Sequence, residues 1–221
     1  MAIPVIVYGK SGSGKSRSLK NFAEDEILLV NIEGKELPFR KKFKYTMRSD
    51  DKDTIIAQIM KMPCKTAVID DAGYLMTHHF MNNHRQKQGN ASFEMYDDIA
   101  DKMYFLLKDI KEKVDPNKIV YIMLHEDTDD FGNTKFRTIG KLIDGKVCME
   151  GMVTICIRCM SDNGVHFFRT ATDGRDITKT PEDMFKEPEM ENDLKAVDVA
   201  IRSFYGMDDK AADNKPTKKE K

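Results

Sequence analysis

An apolar run, Ile3-Pro4-Val5-Ile6-Val7-Tyr8, passes directly into Gly9-Lys10-Ser11-Gly12-Ser13-Gly14-Lys15-Ser16. Gly9, Gly14, Lys15 and Ser16 fill every fixed position of G-x-x-x-x-G-K-[ST], a loop that joins a buried strand to a helix and wraps phosphate groups. Its glycines let backbone N–H groups curl around phosphate oxygens with no side chain in the way. A helix predicted from Arg17 to Ala23 would add its unpaired N–H groups and dipole to the same anion site. The phosphate cradle is therefore expected to comprise Gly9, Lys10, Ser11, Gly12, Ser13, Gly14, Lys15, Ser16 and Arg17. Lys15 would neutralise the β- and γ-phosphates and Ser16 would hold Mg²⁺. A nucleoside triphosphate with Mg²⁺ is the expected ligand; no N-K-x-D-like guanine-reading stretch is visible, and the loop leaves ATP and GTP both open.

At 221 residues the chain suits one sizeable α/β domain with a small appendage. Lys plus Arg number 36 against 37 for Asp plus Glu, so no global basic field draws in nucleic acid and any such contact must be local. The first strand begins at Ile3, leaving no room for a signal peptide, and no apolar run approaches the ~20 residues needed to span a bilayer. The cytoplasm of a host cell, without membrane contact, is the expected location. Cys64, Cys148, Cys156 and Cys159 are too few and irregular for a disulfide framework. Cys156 and Cys159 share an apolar strand-like run, where residues three apart face opposite sides, so core packing is expected rather than metal.

The rest of the chain alternates. Glu26–Ile32 reads as a second buried strand ending at Glu33-Gly34, followed by a basic stretch from Arg40 to Arg48. Ile55, Ile56, Ile59 and Met60 mark an amphipathic helix that Pro63 stops. Thr66–Ile69 runs into the carboxylates Asp70 and Asp71, as at the carboxyl end of a parallel strand. A long amphipathic helix spans Ile99 to Val114, and a fourth strand, Lys118–Leu124, ends at His125. Beyond Lys141 the pattern turns to strands: Leu142-Ile143, Met152–Met160 and Val165–Thr170, the last two joined by the hairpin signal Ser161-Asp162-Asn163-Gly164. A final helix fits Leu194, Val197, Ile201 and Phe204, closed by Gly206. The expected organisation is a core over residues 1–185, a short helical segment over 186–207 and a disordered tail over 208–221.

Such alternation implies a mostly parallel central sheet flanked by helices, with an antiparallel C-terminal extension. Ligands bind such sheets at the carboxyl ends of the strands, where Gly9–Ser16, Glu33, Asp70 and His125 would converge. Asp70 has the place and chemistry of a Walker B carboxylate, holding Mg²⁺ opposite Ser16. Two carboxylates, Asp71 and Glu33, compete to orient an attacking water.

The motifs Gly9–Ser16, Val30-Asn31-Ile32-Glu33-Gly34, Val68-Ile69-Asp70-Asp71 and Ile122-Met123-Leu124-His125 follow the order of the RecA-like ATPase core. More narrowly, the chain resembles the short RecA-like ATPases of phage recombination and replication modules, a group that includes single-strand annealing proteins. The resemblance implies Mg²⁺-dependent ATP hydrolysis, with Glu33 as general base, Asp70 as Mg²⁺ carboxylate and His125 as γ-phosphate sensor. It further implies a homo-oligomer, a recombination or replication partner protein, and single-stranded DNA held by two loops. The matching segments carry Arg85 and Lys87 in one loop, and Lys135, Phe136, Arg137 and Lys141 in the other. Cations with an occasional aromatic suit a phosphate backbone and stacked bases. A basic residue from a neighbouring subunit would complete the site, and Arg137, Arg158, Arg169 and Arg175 are candidates. Two alternatives stand beside this reading: a small-molecule or nucleotide kinase, and a nucleotide-dependent assembly switch without nucleic acid.

Overall fold

The computed structural model describes residues 1–86 and 89–207, so Lys87 and the expected disordered tail over 208–221 lie outside the described residues. The strands are β1 (Ile3–Gly9), β2 (Ile27–Asn31), β3 (Tyr45–Met47), β4 (Thr66–Asp70), β5 (Ile119–Thr128), β6 (Thr134–Phe136), β7 (Ile155–Asp162), β8 (Val165–Arg169) and β9 (Glu189–Glu191). The α-helices are α1 (Lys52–Lys61), α2 (Tyr74–Asn83), α3 (Asn90–Lys113), α4 (Lys141–Gly145) and α5 (Leu194–Tyr205). The sheet runs β3-β2-β4-β5-β1-β7-β8-β9, with β6 paired to β5. Pairings from β3 through β7 are parallel, and β8 and β9 add the antiparallel extension. This is the mostly parallel sheet, flanked by helices and extended by antiparallel strands, that the sequence implies.

Both faces of the sheet are covered, which is why its central strands read as unbroken apolar runs. Ile6, Tyr8, Val30, Ile69, Ile122 and Cys156 face one cluster, against Ile55 and Ile59 of α1 and Ile99, Met103 and Leu107 of α3. Val5, Val7, Leu29, Val68, Met123, Ile157 and Cys159 face the other, against Leu194, Val197 and Ile201 of α5. Cys156 and Cys159 thus diverge to opposite faces as free thiols. Residues 194–207 complete the second cluster and dock onto the core. Asp193 caps α5 by accepting from the N–H groups of Lys195 and Ala196, and Gly206 closes it at φ 57°.

Two local expectations change. The P-loop is followed by a 3₁₀ turn, Ser16–Asn21, and no α-helix reaches Ala23. The Ser18 hydroxyl bonds the Lys15 carbonyl at 2.6 Å, and Phe22 turns extended at ψ 144° to bury its ring completely. A turn this short supplies N–H donors but little macrodipole. The segment Leu142-Ile143 is helical, within α4, and Ile143 is buried beneath α3. The basic stretch after β2 contributes an edge strand, β3. The hairpin at Asn163-Gly164 forms as expected, with φ of 48° and 81°. Among the described residues no helix is long and apolar enough to cross a membrane.

Candidate active site

Sheet order assembles the site. In register, Gly9 lies beside His125 and Asn31 beside Asp70, so the loops leaving β1, β2, β4 and β5 open on one edge. Gly9 is squeezed between β5 and β7, where a Cβ would stand 2.2 Å from the Cys159 carbonyl oxygen. Gly14, at φ 105°, has the His166 ring where its Cβ would go, 2.8 Å from Nδ1. Any side chain at either position would displace the phosphate loop.

Lys15 is buried beneath this loop, its Nζ donating to the carbonyls of Gly9 (2.9 Å) and Lys10 (3.0 Å) and lying 3.4 Å from His125 Nδ1. Burial pulls its pKa down against the attraction of Asp71 and Asp70. Ser16 donates its hydroxyl to Asp70 Oδ2 at 2.8 Å. Burial and the adjacent Asp71 charge push the Asp70 carboxyl up, opposed by the Ser16 hydrogen bond and Lys15. A hydroxyl and a desolvated, under-compensated carboxylate side by side form an all-oxygen donor pair suited to Mg²⁺.

Asp71 sits at φ 57°, a conformation costly for a residue with a side chain and of the kind found at functional sites. Its carboxylate meets Lys35 Nζ at 2.7 Å and His125 Nε2 at 3.1 Å. Burial alone would raise its pKa, but the hydrogen bonds from His125 and Lys35 and their charges outweigh it and bring it to about 2. Asp71, His125, Lys15, Ser16 and Lys35 line one cavity of about 320 Å³ together with Ser11, Gly12, Gly14, Arg17 and His166.

Glu33 is not among the residues lining that cavity. Its carboxylate is 2.8 Å from His78 Nε2, and His78 Nδ1 is 3.0 Å from Asp50. Lys35 and His166 were missed in the sequence. Lys35 follows Gly34 directly, so the loop itself was the available signal; His166 reaches the Ser13 carbonyl (2.8 Å) from 153 residues away, which no local pattern reports.

The AAA domain family matches residues 1–184. The chain belongs to that family. A comparison with curated proteins finds no match. Among solved structures, the chain is similar to a KaiC-like protein from the hyperthermophilic archaeon Pyrococcus horikoshii, with 11% identity and a TM-score of 0.44 over 76% of this chain and 78% of that one. Family and P-loop fold together support nucleotide binding and hydrolysis by this AAA domain.

The expected DNA-binding residues of the AAA domain fare unevenly. Phe136 is 3% exposed and packs in the core, so its ring is not available to stack on a base. A three-residue strand paired to β5 turns Phe136 inward and leaves Lys135 outward. Arg85, Arg137 and Lys141 are exposed, Arg137 lying 3.7 Å from Asp127. Of the candidate trans arginines, Arg158 is held in a two-pronged pair with Glu126 (2.9 and 3.2 Å) and also meets Asp176, while Arg169 pairs with Asp173 and Glu189. Arg137 and Arg175 face outward. Among the described residues no cluster of three or more His, Cys, Asp or Glu side chains suited to a metal ion occurs.

Proposed function

We propose that this AAA domain is a Mg²⁺-dependent ATPase of phage-type DNA recombination or replication. It would act as a homo-oligomer with single-stranded DNA and a partner protein, in an annealing or supporting role. One observation carries the ATPase reading: Lys15, Ser16, Asp71 and His125 open on a single cavity, and the Ser16 hydroxyl is bonded to Asp70. In hydrolysis a water oxygen bonds to the γ-phosphorus as the bridging bond to ADP breaks. Asp71, ionised across the physiological range, orients that water and takes its proton; Lys15 and His125 face the transferred group. Ser16 and Asp70 would hold Mg²⁺, which would supply positive charge to the phosphate oxygens. Glu33, the base implied by the resemblance, is engaged by His78 outside the cavity, so the geometry favours Asp71. The DNA role rests on the order of motifs and on the exposed cations Arg85, Arg137 and Lys141; Arg137 and Arg175, both exposed, would be the candidates to serve a neighbouring subunit's site.

The test is phosphate release from ATP, with and without single-stranded DNA. Asp71→Asn is expected to lose roughly 10²–10³-fold in turnover while still binding ATP, and Glu33→Gln to stay within about threefold of the native chain. The reverse pattern would return the base to Glu33. Native turnover indifferent to DNA would remove the DNA role and leave the ATPase standing.

A further inference from the structure

Of the large apolar side chains among the described residues, Phe131 is the most exposed, at 85%. It stands at the tip of the β5–β6 hairpin, and the tip is built to hold it there. Asp129 Oδ1 accepts the N–H groups of Phe131 (3.0 Å) and Asn133 (2.8 Å), and Oδ2 accepts the Asn133 side-chain amide (3.0 Å). The Asp129 N–H in turn donates to the Asn133 carbonyl at 2.9 Å. Asp127 and Asp130 on the same hairpin are exposed. An ordered ring among carboxylates loses little entropy on docking and calls for an apolar seat with a cationic rim. The same carboxylates turn the tip itself away from a phosphate backbone.

Such a seat exists on the same chain. A groove of about 400 Å³ lies beside β2 and β3, at the edge of the sheet, with Leu37, Phe43 and Met47 as its apolar lining. Lys41, Lys42 and Arg48 line it as well, against one carboxylate, Glu36. Among the described residues none of these three cations has a carboxylate partner: Lys41 donates to the Phe22 carbonyl (2.7 Å) and Arg48 to the Ile32 carbonyl (3.3 Å). We infer that the Phe131 tip of one copy seats in this groove of a second copy and joins copies head to tail. This deepens the homo-oligomer reading above. The tip leaves β5 and the groove lies at the β3 edge, so two different patches meet and each added copy brings a fresh tip or groove until a ring closes. Nucleic acid suits the groove less well. Phe43 is 6% exposed, Phe39 is half-buried and Lys44 Nζ stands over the Tyr45 ring, which leaves bases little to stack on. Lys35, the partner of Asp71, lines both the groove and the catalytic cavity, so a seated tip would lie at the edge of that cavity.

Sedimentation of the chain over a range of concentrations, with and without ATP and Mg²⁺, reads the association. The native chain should grow in size with concentration. Phe131→Ser should weaken association about tenfold or more, as loss of a buried aromatic anchor does, and Lys42→Glu combined with Arg48→Glu should do the same. Mixed together, the two variants should form a dimer that grows no further, because one brings an intact groove and the other an intact tip. Formation of that dimer also requires both variants to be folded. Variants that associate like the native chain, or that stay monomeric when mixed, would overturn the seat and leave the homo-oligomer reading standing. A native chain that stays monomeric at every concentration would overturn both. Loss of single-stranded DNA binding by the groove variant, with its association intact, would give the groove to nucleic acid and overturn the inference.

Discussion

β4 carries a buried polar cluster at each end, and the two are built to different rules. At its first residue, the Thr66 hydroxyl and the Tyr121 hydroxyl both donate to Asp198 Oδ1, at 2.9 and 3.2 Å. Arg202 donates to Asp198 Oδ2 (2.7 Å), to the Lys65 and Asn117 carbonyls (2.8 and 3.1 Å) and to the Thr66 hydroxyl (2.9 Å). Both carboxylate oxygens and all three guanidinium nitrogens are satisfied by the protein. At the last residue, Asp70 and Asp71 stand side by side, Asp71 in a left-handed conformation, with Lys15 desolvated nearby. The lower cluster is complete in itself and so stabilises the docking of α5. The upper one holds charges whose natural complement is a ligand, which is what burying polar groups for function rather than for stability looks like.

The largest expected effect tests the upper cluster. Lys15→Ala should lower ATP turnover by about 10⁴-fold, about 5 kcal/mol of transition-state stabilisation. Its thermal midpoint should stay level or rise, because the substitution removes a desolvated ammonium that folding gains little from. Phosphate release and a melting curve on the same preparation check both. A collapse of stability alongside activity would erase the distinction between the two clusters.

The next effect falls on stability. Arg202→Ala strands Asp198 in the core and should cost about 4 kcal/mol in urea denaturation with an unchanged slope. Replacing both partners, Asp198→Leu with Arg202→Met, should recover most of that loss, since an apolar pair of similar volume leaves no charge unpaired. ATP turnover per folded molecule should be unaffected in both variants. A cost under about 1 kcal/mol for Arg202→Ala would mean the lower cluster is ornament to the docking of α5 rather than its support.

What the sequence disclosed follows the same division. Buried strands flanking the P-loop were legible because both sheet faces are covered, so Val5–Tyr8, Leu28–Val30 and Ile119–Leu124 carry no polar interruption. Asp70 and His125 were legible because each ends or nears the carboxyl edge of such a run. Phe136 was not, because which way a three-residue strand faces depends on its pairing with Glu126–Thr128. The 3₁₀ turn was missed because Ser16–Asn21 has no feature that forbids a helix; it is the burial of Phe22 that ends it. His166 joins the site only when β7 and β8 fold back beside β1, and no spacing in the chain encodes that contact.

The smallest effect asks whether a third carboxylate obeys the rule of the lower cluster. Asp109 of α3 receives Lys52 Nζ at 2.8 Å on Oδ2 and Lys113 Nζ at 3.0 Å on Oδ1, so like Asp198 it is matched within the protein. Burial would raise its pKa, but the bonds from Lys52 and Lys113 prevail and hold it below the usual carboxylate range. A depressed folded-state pKa stabilises above the unfolded value of about 4, and that contribution fades as pH falls through the folded value. Asp109→Asn should therefore cost about 1 kcal/mol at pH 7, and the gap to the native chain in thermal melts should close progressively below about pH 4. A gap that persists unchanged at the lowest pH would trace the loss to packing between α1 and α3 instead of to charge, and would separate Asp109 from Asp198.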